Sequence, residues 1–197
     1  MKIIGLTGSI GMGKSETANM FRKASIPVFD SDAVVHLLMG PNGAAAEEVE
    51  DEFPGVKSDN QIDRKKLGGL VFDDTSALKK LENILHPMVN KLREEFIVDH
   101  RNNDIVLFDI PLLFEKKHQD GLDYIVVASA PYEVQRERVL ARPGMDVKRF
   151  SDILAKQMPD QEKRDKADFI VQTEQGFEYA SKQVQKIINQ VRQDINA

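Results

Sequence analysis

Eight residues near the amino terminus, Gly8-Ser9-Ile10-Gly11-Met12-Gly13-Lys14-Ser15, have the types and spacing to hold a polyphosphate. They fit G-x-x-x-x-G-K-[ST] at every fixed position, after a strand-like run and before a helix-like one, the setting such a loop needs. Several backbone N–H groups must approach the phosphates together, so glycine stands where a Cβ would block them. The helix N-terminus adds further N–H groups and a partial positive charge. Lys14 would reach the β- and γ-phosphates and the Ser15 hydroxyl would ligate Mg²⁺, an ion that keeps most of its waters and needs few protein ligands. The loop predicts an NTP site without naming the reaction.

Other side chains could supply that reaction. Asp30-Ser31-Asp32 follows the apolar Val28-Phe29, at the strand end where open α/β sheets bind ligands. Asp32 is the candidate to orient an acceptor hydroxyl and take its proton, and equally a candidate helix N-cap, with Asp30 left for packing or an Mg²⁺-bound water. Asp109 ends the run Leu107-Phe108-Asp109-Ile110-Pro111, where a carboxylate can hold Mg²⁺ directly or through water, or merely begin a turn. Arg136, Arg138 and Arg142 could clamp a transferring phosphate, although Arg136 and Arg138, two apart, share a helix face poorly, so at most two would reach it. Lys148, Arg149, Lys156, Lys163 and Arg164 read as solvent-facing. His86, before Pro87, reads more readily as a buried hydrogen-bonded residue than as a catalyst. The Asn90-Lys91-Leu92-Arg93 segment lacks the Asp of a guanine reader, which argues against a GTPase switch.

These residues need a scaffold. Short β-branched runs at Lys2–Leu6, Pro27–Phe29, Asp104–Phe108, Tyr124–Ala128 and Phe169–Gln172 suit strands of a parallel sheet buried on both faces. Helical patterns alternate with them, at Lys14–Ala24 and through Phe177, Ala180, Val184, Ile187, Val191 and Ile195. The predicted class is α/β with right-handed crossovers. Two stretches lie outside that alternation. Ala33 to His100 is too long for one crossover; Leu78, Leu81, Leu85, Val89, Leu92 and Phe96 show helical spacing there, and Pro87 is expected to divide it into two helices. Its acidic segment, residues 44–63, reads as a solvated face. The second stretch, Tyr132 to Asp165, carries a Pro143-Gly144 turn and core candidates Phe150 and Met158.

Composition narrows the class. A length of 197 residues predicts one domain, or one core with an insertion. Zero Cys excludes disulfides, thiolate metal sites and Cys nucleophiles. The net charge of -5 argues against wholesale wrapping of nucleic acid, and no apolar run approaches the roughly 18 residues of a membrane helix or resembles a secretory leader. A cytoplasmic protein is expected, with no nucleic-acid or membrane partner and a monomer favoured.

The phosphate loop, the Asp30/Asp32 pair, Leu85-His86-Pro87, Asp109-Ile110-Pro111-Leu112-Leu113-Phe114-Glu115, Gln157-Met158 with Lys163, and Ala167-Asp168-Phe169-Ile170-Val171 together resemble the dephospho-CoA kinase family, in the family's order. The resemblance implies a P-loop-type parallel core flanked by helices, a helical acceptor-binding insertion at about residues 33–100 and a lid at about 138–160. It implies transfer of the ATP γ-phosphoryl group to the ribose 3′-hydroxyl of dephospho-CoA, with Mg²⁺. By position, Asp32 becomes the base, Arg142 the lid arginine, and Ser15 and Asp109 the metal residues. Gly8, Gly11, Met12, Gly13, Lys14, Ser15 and Glu16 hold the nucleotide, and Thr173 to Gly176 border adenine. The acceptor wall would draw on Asp32, His86, Leu112, Leu113 and Glu115. Glu16, where the family commonly has Thr, and Gln172-Thr173-Glu174 depart from its pattern. The alternatives are a kinase for another small alcohol or a nucleoside monophosphate, and a nucleotide-binding regulatory module.

Overall fold

The computed structural model describes residues 1–72 and 74–196. In chain order the elements are β1 (Lys2–Thr7), α1 (Lys14–Lys23), β2 (Val28–Asp30), α2 (Ser31–Met39), α3 (Ala46–Glu52), β3 (Lys57–Ser58), β4 (Gln61–Ile62), α4 (Arg64–Val71) and α5 (Thr75–Asp99). They continue with β5 (Ile105–Asp109), β6 (Tyr124–Ser129), α6 (Tyr132–Leu140), α7 (Val147–Ala155), α8 (Asp160–Asp165), β7 (Phe169–Gln172) and α9 (Phe177–Asn196). The chain divides into two compact units, one of Met1–Phe29 with His100–Ala197 and one of Asp30–Asp99.

The first unit is built on a five-stranded sheet in the order β2-β5-β1-β6-β7. The β1–β5, β1–β6 and β6–β7 pairings are parallel, with Leu6 opposite Asp109. β5 is buried at all five positions, which explains its unbroken apolar run: a strand covered on both faces has no polar side to show. Ile4, Leu6, Ile105, Leu107, Val126, Ala128 and Val171 of the sheet pack with Ala18 and Phe21 of α1. Ala180, Val184, Ile187, Ile188 and Val191 of α9 close the same core, as their three- and four-residue spacing predicts. Each large side chain buried here stabilises the unit by about 1.5–3 kcal/mol before conformational entropy is counted.

The second unit has its own core, formed by Leu38, Met39, Val49, Val56, Leu67, Leu81 and Leu85 among others. Carboxylates start α2, α4 and α5. Asp30 accepts from the Ala33 N–H at 3.0 Å, Asp63 from Lys65 and Lys66, and Asp74 from Ser76 and Ala77. Such caps satisfy N–H groups that have no partner inside a helix.

The expected helix break is corrected in this unit. Pro87 does not divide the helical stretch: α5 runs unbroken for 25 residues with Pro87 inside it. Leu81 and Leu85 before the proline and Val89 and Leu92 after it pack into one cluster, and that shared seam outweighs the roughly 3 kcal/mol of an interior proline. The acidic segment is a solvated face as expected at Glu47, Glu48, Asp51, Glu52 and Asp59, with Glu50 and Asp63 partly buried and used in backbone contacts. Glu50 accepts from the Gly55 and Lys57 N–H groups at 2.7 and 2.6 Å, bonds that hold its carboxyl below the usual range. Glu47 pairs with Lys57, while Ala45, Ala46 and Val49 are buried. The β3–β4 ribbon, unanticipated in the sequence, turns on Asp59 and Asn60, whose φ values of 49° and 59° suit the left-handed turns that carry hairpins.

Candidate active site

The phosphate loop joins β1 to α1. Gly11 and Gly13 have φ of 77° and 89°, a region side chains avoid, and a Cβ would lie 2.6 Å from Val139 Cγ2 at Gly11 and 2.9 Å from Thr173 at Gly13. Both glycines are therefore required by conformation and by space. Lys14 opens α1; Ser15 and Glu16 are exposed in its first turn, and Thr17 Oγ1 donates to the Gly13 carbonyl at 3.1 Å.

Outside the loop, four side chains take up its backbone groups. The Ile10 N–H donates to Gln157 Oε1 at 3.1 Å, and the Ile10 carbonyl accepts from Gln135 Nε2 at 2.7 Å. The Gly11 carbonyl accepts from Arg138 at 3.4 Å and the Met12 carbonyl from Thr173 Oγ1 at 2.9 Å. Arg138 also donates to Thr173 Oγ1 and to the Thr173 carbonyl, both at 2.8 Å, tying the loop to the end of β7. Of the three arginines proposed as clamps, Arg138 is thus engaged with protein, whereas Arg136 and Arg142 are exposed.

The Lys14 ammonium lies 2.6 Å from Asp109 Oδ1. Asp109 ends β5, the strand beside β1, and is only 3% exposed. Parallel pairing brings the loop's lysine and a carboxylate 95 residues away to the same sheet edge. A cavity of about 660 Å³ at the ends of β6 and β7 is lined by Ser9, Met12, Ser129, Gln157, Asp160 and Glu174, among others, and not by Lys14 or Asp109. A strand-end crevice is the usual ligand position in such sheets. The donor set suits Mg²⁺, with one exposed hydroxyl on Ser15 and one carboxylate on Asp109 leaving most positions to phosphate oxygens and water.

Lys163 does not face solvent as expected. It is fully buried, with its ammonium 2.8 Å from Glu115 Oε1, which also accepts from the Met158 N–H at 2.9 Å. Burial pushes the Glu115 carboxyl up, but the Lys163 ammonium and the Met158 N–H outweigh it and hold the group below its ordinary value. Leu113 is fully buried, Leu112 half-buried and Phe150 a core residue.

In the second unit, Asp30 and not Asp32 caps α2; Asp32 is exposed in the first turn. His86 is exposed on α5, not buried as expected. Gly176, with φ of 90°, turns the chain from β7 into α9. Sequence reasoning missed Gln135 altogether and gave Gln157 no role, because neither belongs to a spacing pattern that touches the loop.

A glycine loop between a parallel strand and a helix, its lysine paired with the acid ending the adjacent strand, defines a P-loop nucleotide-binding protein. The family model for dephospho-CoA kinase matches residues 2–178, and the chain belongs to that family. The dephospho-CoA kinase of Mesorhizobium japonicum is 52% identical over 194 residues, covering 98% of each chain. That of Novosphingobium aromaticivorans is 49% identical over 191 residues, 97% of this chain and 95% of the relative. Among solved structures, TT1252 from Thermus thermophilus superposes with a TM-score of 0.84 at 34% identity, covering 95% of each chain. The dephospho-CoA kinase from Campylobacter jejuni gives 0.65 at 26%, covering 96% of this chain and 97% of that one. As a family member the chain is an ATP-dependent kinase of dephospho-CoA, acting in coenzyme A biosynthesis.

Proposed function

We propose that the chain carries the ATP γ-phosphoryl group to the ribose 3′-hydroxyl of dephospho-CoA, giving CoA and ADP, through the following residues. N–H groups of the Gly8–Ser15 loop hold the β- and γ-phosphates, those of Ile10 and Met12 being engaged by Gln157 and the Ser9 carbonyl. Lys14 exchanges the Asp109 carboxylate for a phosphate oxygen as nucleotide enters. Ser15 and Asp109 would hold Mg²⁺, which when bound neutralises charge on the β- and γ-oxygens. Asp32 takes the 3′-hydroxyl proton as the new O–P bond forms and ADP leaves with the electron pair of the broken bond. Arg142 meets charge spreading over the transferred group. Thr173 and Gly176 border adenine. Leu112 and Glu115 contact the acceptor from the first unit, with Leu113 supporting them from the core, and His86 contributes from the second.

The Lys14–Asp109 contact carries this reading, since it sets a phosphate-seeking cation and a metal-competent acid on one sheet edge. No described helix is long and apolar enough to cross a membrane, and a cytoplasmic monomer is the proposed state. The test is ADP release with dephospho-CoA set against nucleoside monophosphates and sugar acids. Turnover confined to the latter acceptors would overturn the proposal.

A further inference from the structure

The loop's N–H groups can face phosphate only if its carbonyls face away. In a trans peptide the C=O of one residue and the N–H of the next point in opposite directions, so holding one end of a peptide plane aims the other. Four successive planes of this loop are held from outside. Gln135 takes the carbonyl of Ile10–Gly11, Arg138 that of Gly11–Met12 and Thr173 that of Met12–Gly13. Gln157 takes instead the N–H of the Ser9–Ile10 plane, which aims the Ser9 carbonyl at the Met12 N–H, its donor at 3.1 Å, and so fixes the turn of the loop. Gripping the Ile10 carbonyl turns the Gly11 N–H inward, and gripping the Met12 carbonyl does the same for Gly13.

The two glutamines are distinctive because both act on Ile10. Gln135 is 3% exposed, in the first half of α6, and Gln157 lies in the link between α7 and α8. They are the two ends of the 136–156 segment, which includes Arg142. Gln157 is itself secured, since the next residue, Met158, gives its N–H to Glu115, whose carboxylate faces the buried Lys163.

We infer that Gln135 and Gln157 are positioning residues for phosphate binding: they set the orientation of the two Ile10 peptides and so the turn of the loop and the aim of its phosphate-facing N–H groups. The inference rests on the loop being the phosphate site, and its test separates the two. Gln135→Met and Gln157→Met keep side-chain length and remove the hydrogen bond. Each should raise the dissociation constants of ATP and ADP about 5- to 30-fold, the scale of one to two lost hydrogen bonds. AMP, which lacks the phosphates the loop holds, should bind within about 2-fold of wild type, as should KM for dephospho-CoA. The double variant should lose less than the product of the single effects, because both grip one residue. Gln157→Glu, which retains an accepting oxygen, should fold even where Gln157→Met does not, and should bind ATP more tightly than Gln157→Met. Unchanged ATP and ADP affinity in the double variant would overturn the inference, as would equal weakening of AMP. Failure of Lys14→Ala to weaken ATP would instead overturn the assignment of the loop.

Discussion

The Lys14 ammonium and the Asp109 carboxylate meet at 2.6 Å, with Asp109 almost wholly buried. On the proposed function, entry of nucleotide would exchange this partner of Lys14 for a phosphate oxygen. Lys14→Ala should weaken ATP binding and lower turnover by at least about 10²-fold, as for removal of a group that stabilises transition-state charge. It should also destabilise the nucleotide-free protein by about 1–3 kcal/mol, because a buried carboxylate loses an ionic partner. Calorimetric titration with a non-hydrolysable ATP analogue and denaturant melts check both; full activity would remove Lys14 from the mechanism.

Asp30 and Asp32 should separate cleanly. Asp30→Ala removes the cap on α2 and should lower stability by about 1 kcal/mol. Asp32→Asn should leave the melting temperature unchanged and reduce kcat about 10²- to 10⁴-fold, with ATP affinity preserved. Steady-state kinetics beside thermal melts make the comparison, and an unaffected kcat would return the proton to another acceptor.

Arg138 and Arg142 make a second contrasting pair. Arg142 is exposed and its side chain is free to meet phosphate, so Arg142→Ala should cut turnover without a melting shift. Arg138 links the Gly11 carbonyl to Thr173, so Arg138→Ala should lower the melting temperature and ATP affinity together. A stability defect confined to Arg142→Ala would reverse these assignments.

Acid should reveal the Glu115–Lys163 pair. The Glu115 carboxyl is held below its ordinary value in the folded protein, so the folded state binds fewer protons there than the unfolded state. Its contribution is complete above the unfolded pKa of about 4.3 and is lost as pH falls through the lower folded value. Glu115→Ala should lose about 3–5 kcal/mol at pH 7 by stranding a buried ammonium, and the loss should shrink on acidification below about pH 4. Urea melts across that range test the sign; a loss that grows with acid would contradict it.

Much of the first unit was legible because its signals are local. The Phe169–Gln172 run matches β7 residue for residue, and α9 follows its apolar spacing, since a buried strand or amphipathic helix writes its environment into its own residues. The phosphate loop was legible for the same reason. What escaped the sequence depends on residues far apart. Nothing near Lys163 marks it as buried, because its partner is Glu115, and Pro87 signals a break that only the surrounding cluster overrides. Gln135 and Gln157 reach a backbone and not a motif side chain, so no pattern records Gln135, and the Gln157-Met158 block marks Gln157 without showing what it holds.

The outward bonds of the phosphate loop bear on the order in which the protein acquires its activity. They span 125 positions to Gln135, 127 to Arg138, 147 to Gln157 and 161 to Thr173. A chain emerging from the ribosome carries all eight motif residues almost at once, yet the groups that shape them arrive only when β7 has been made. Contacts of such separation close late, after the loop entropy between them has been overcome. Nucleotide binding should therefore be among the last properties to appear during synthesis, with no role for ATP in guiding the early folding of β1 and α1.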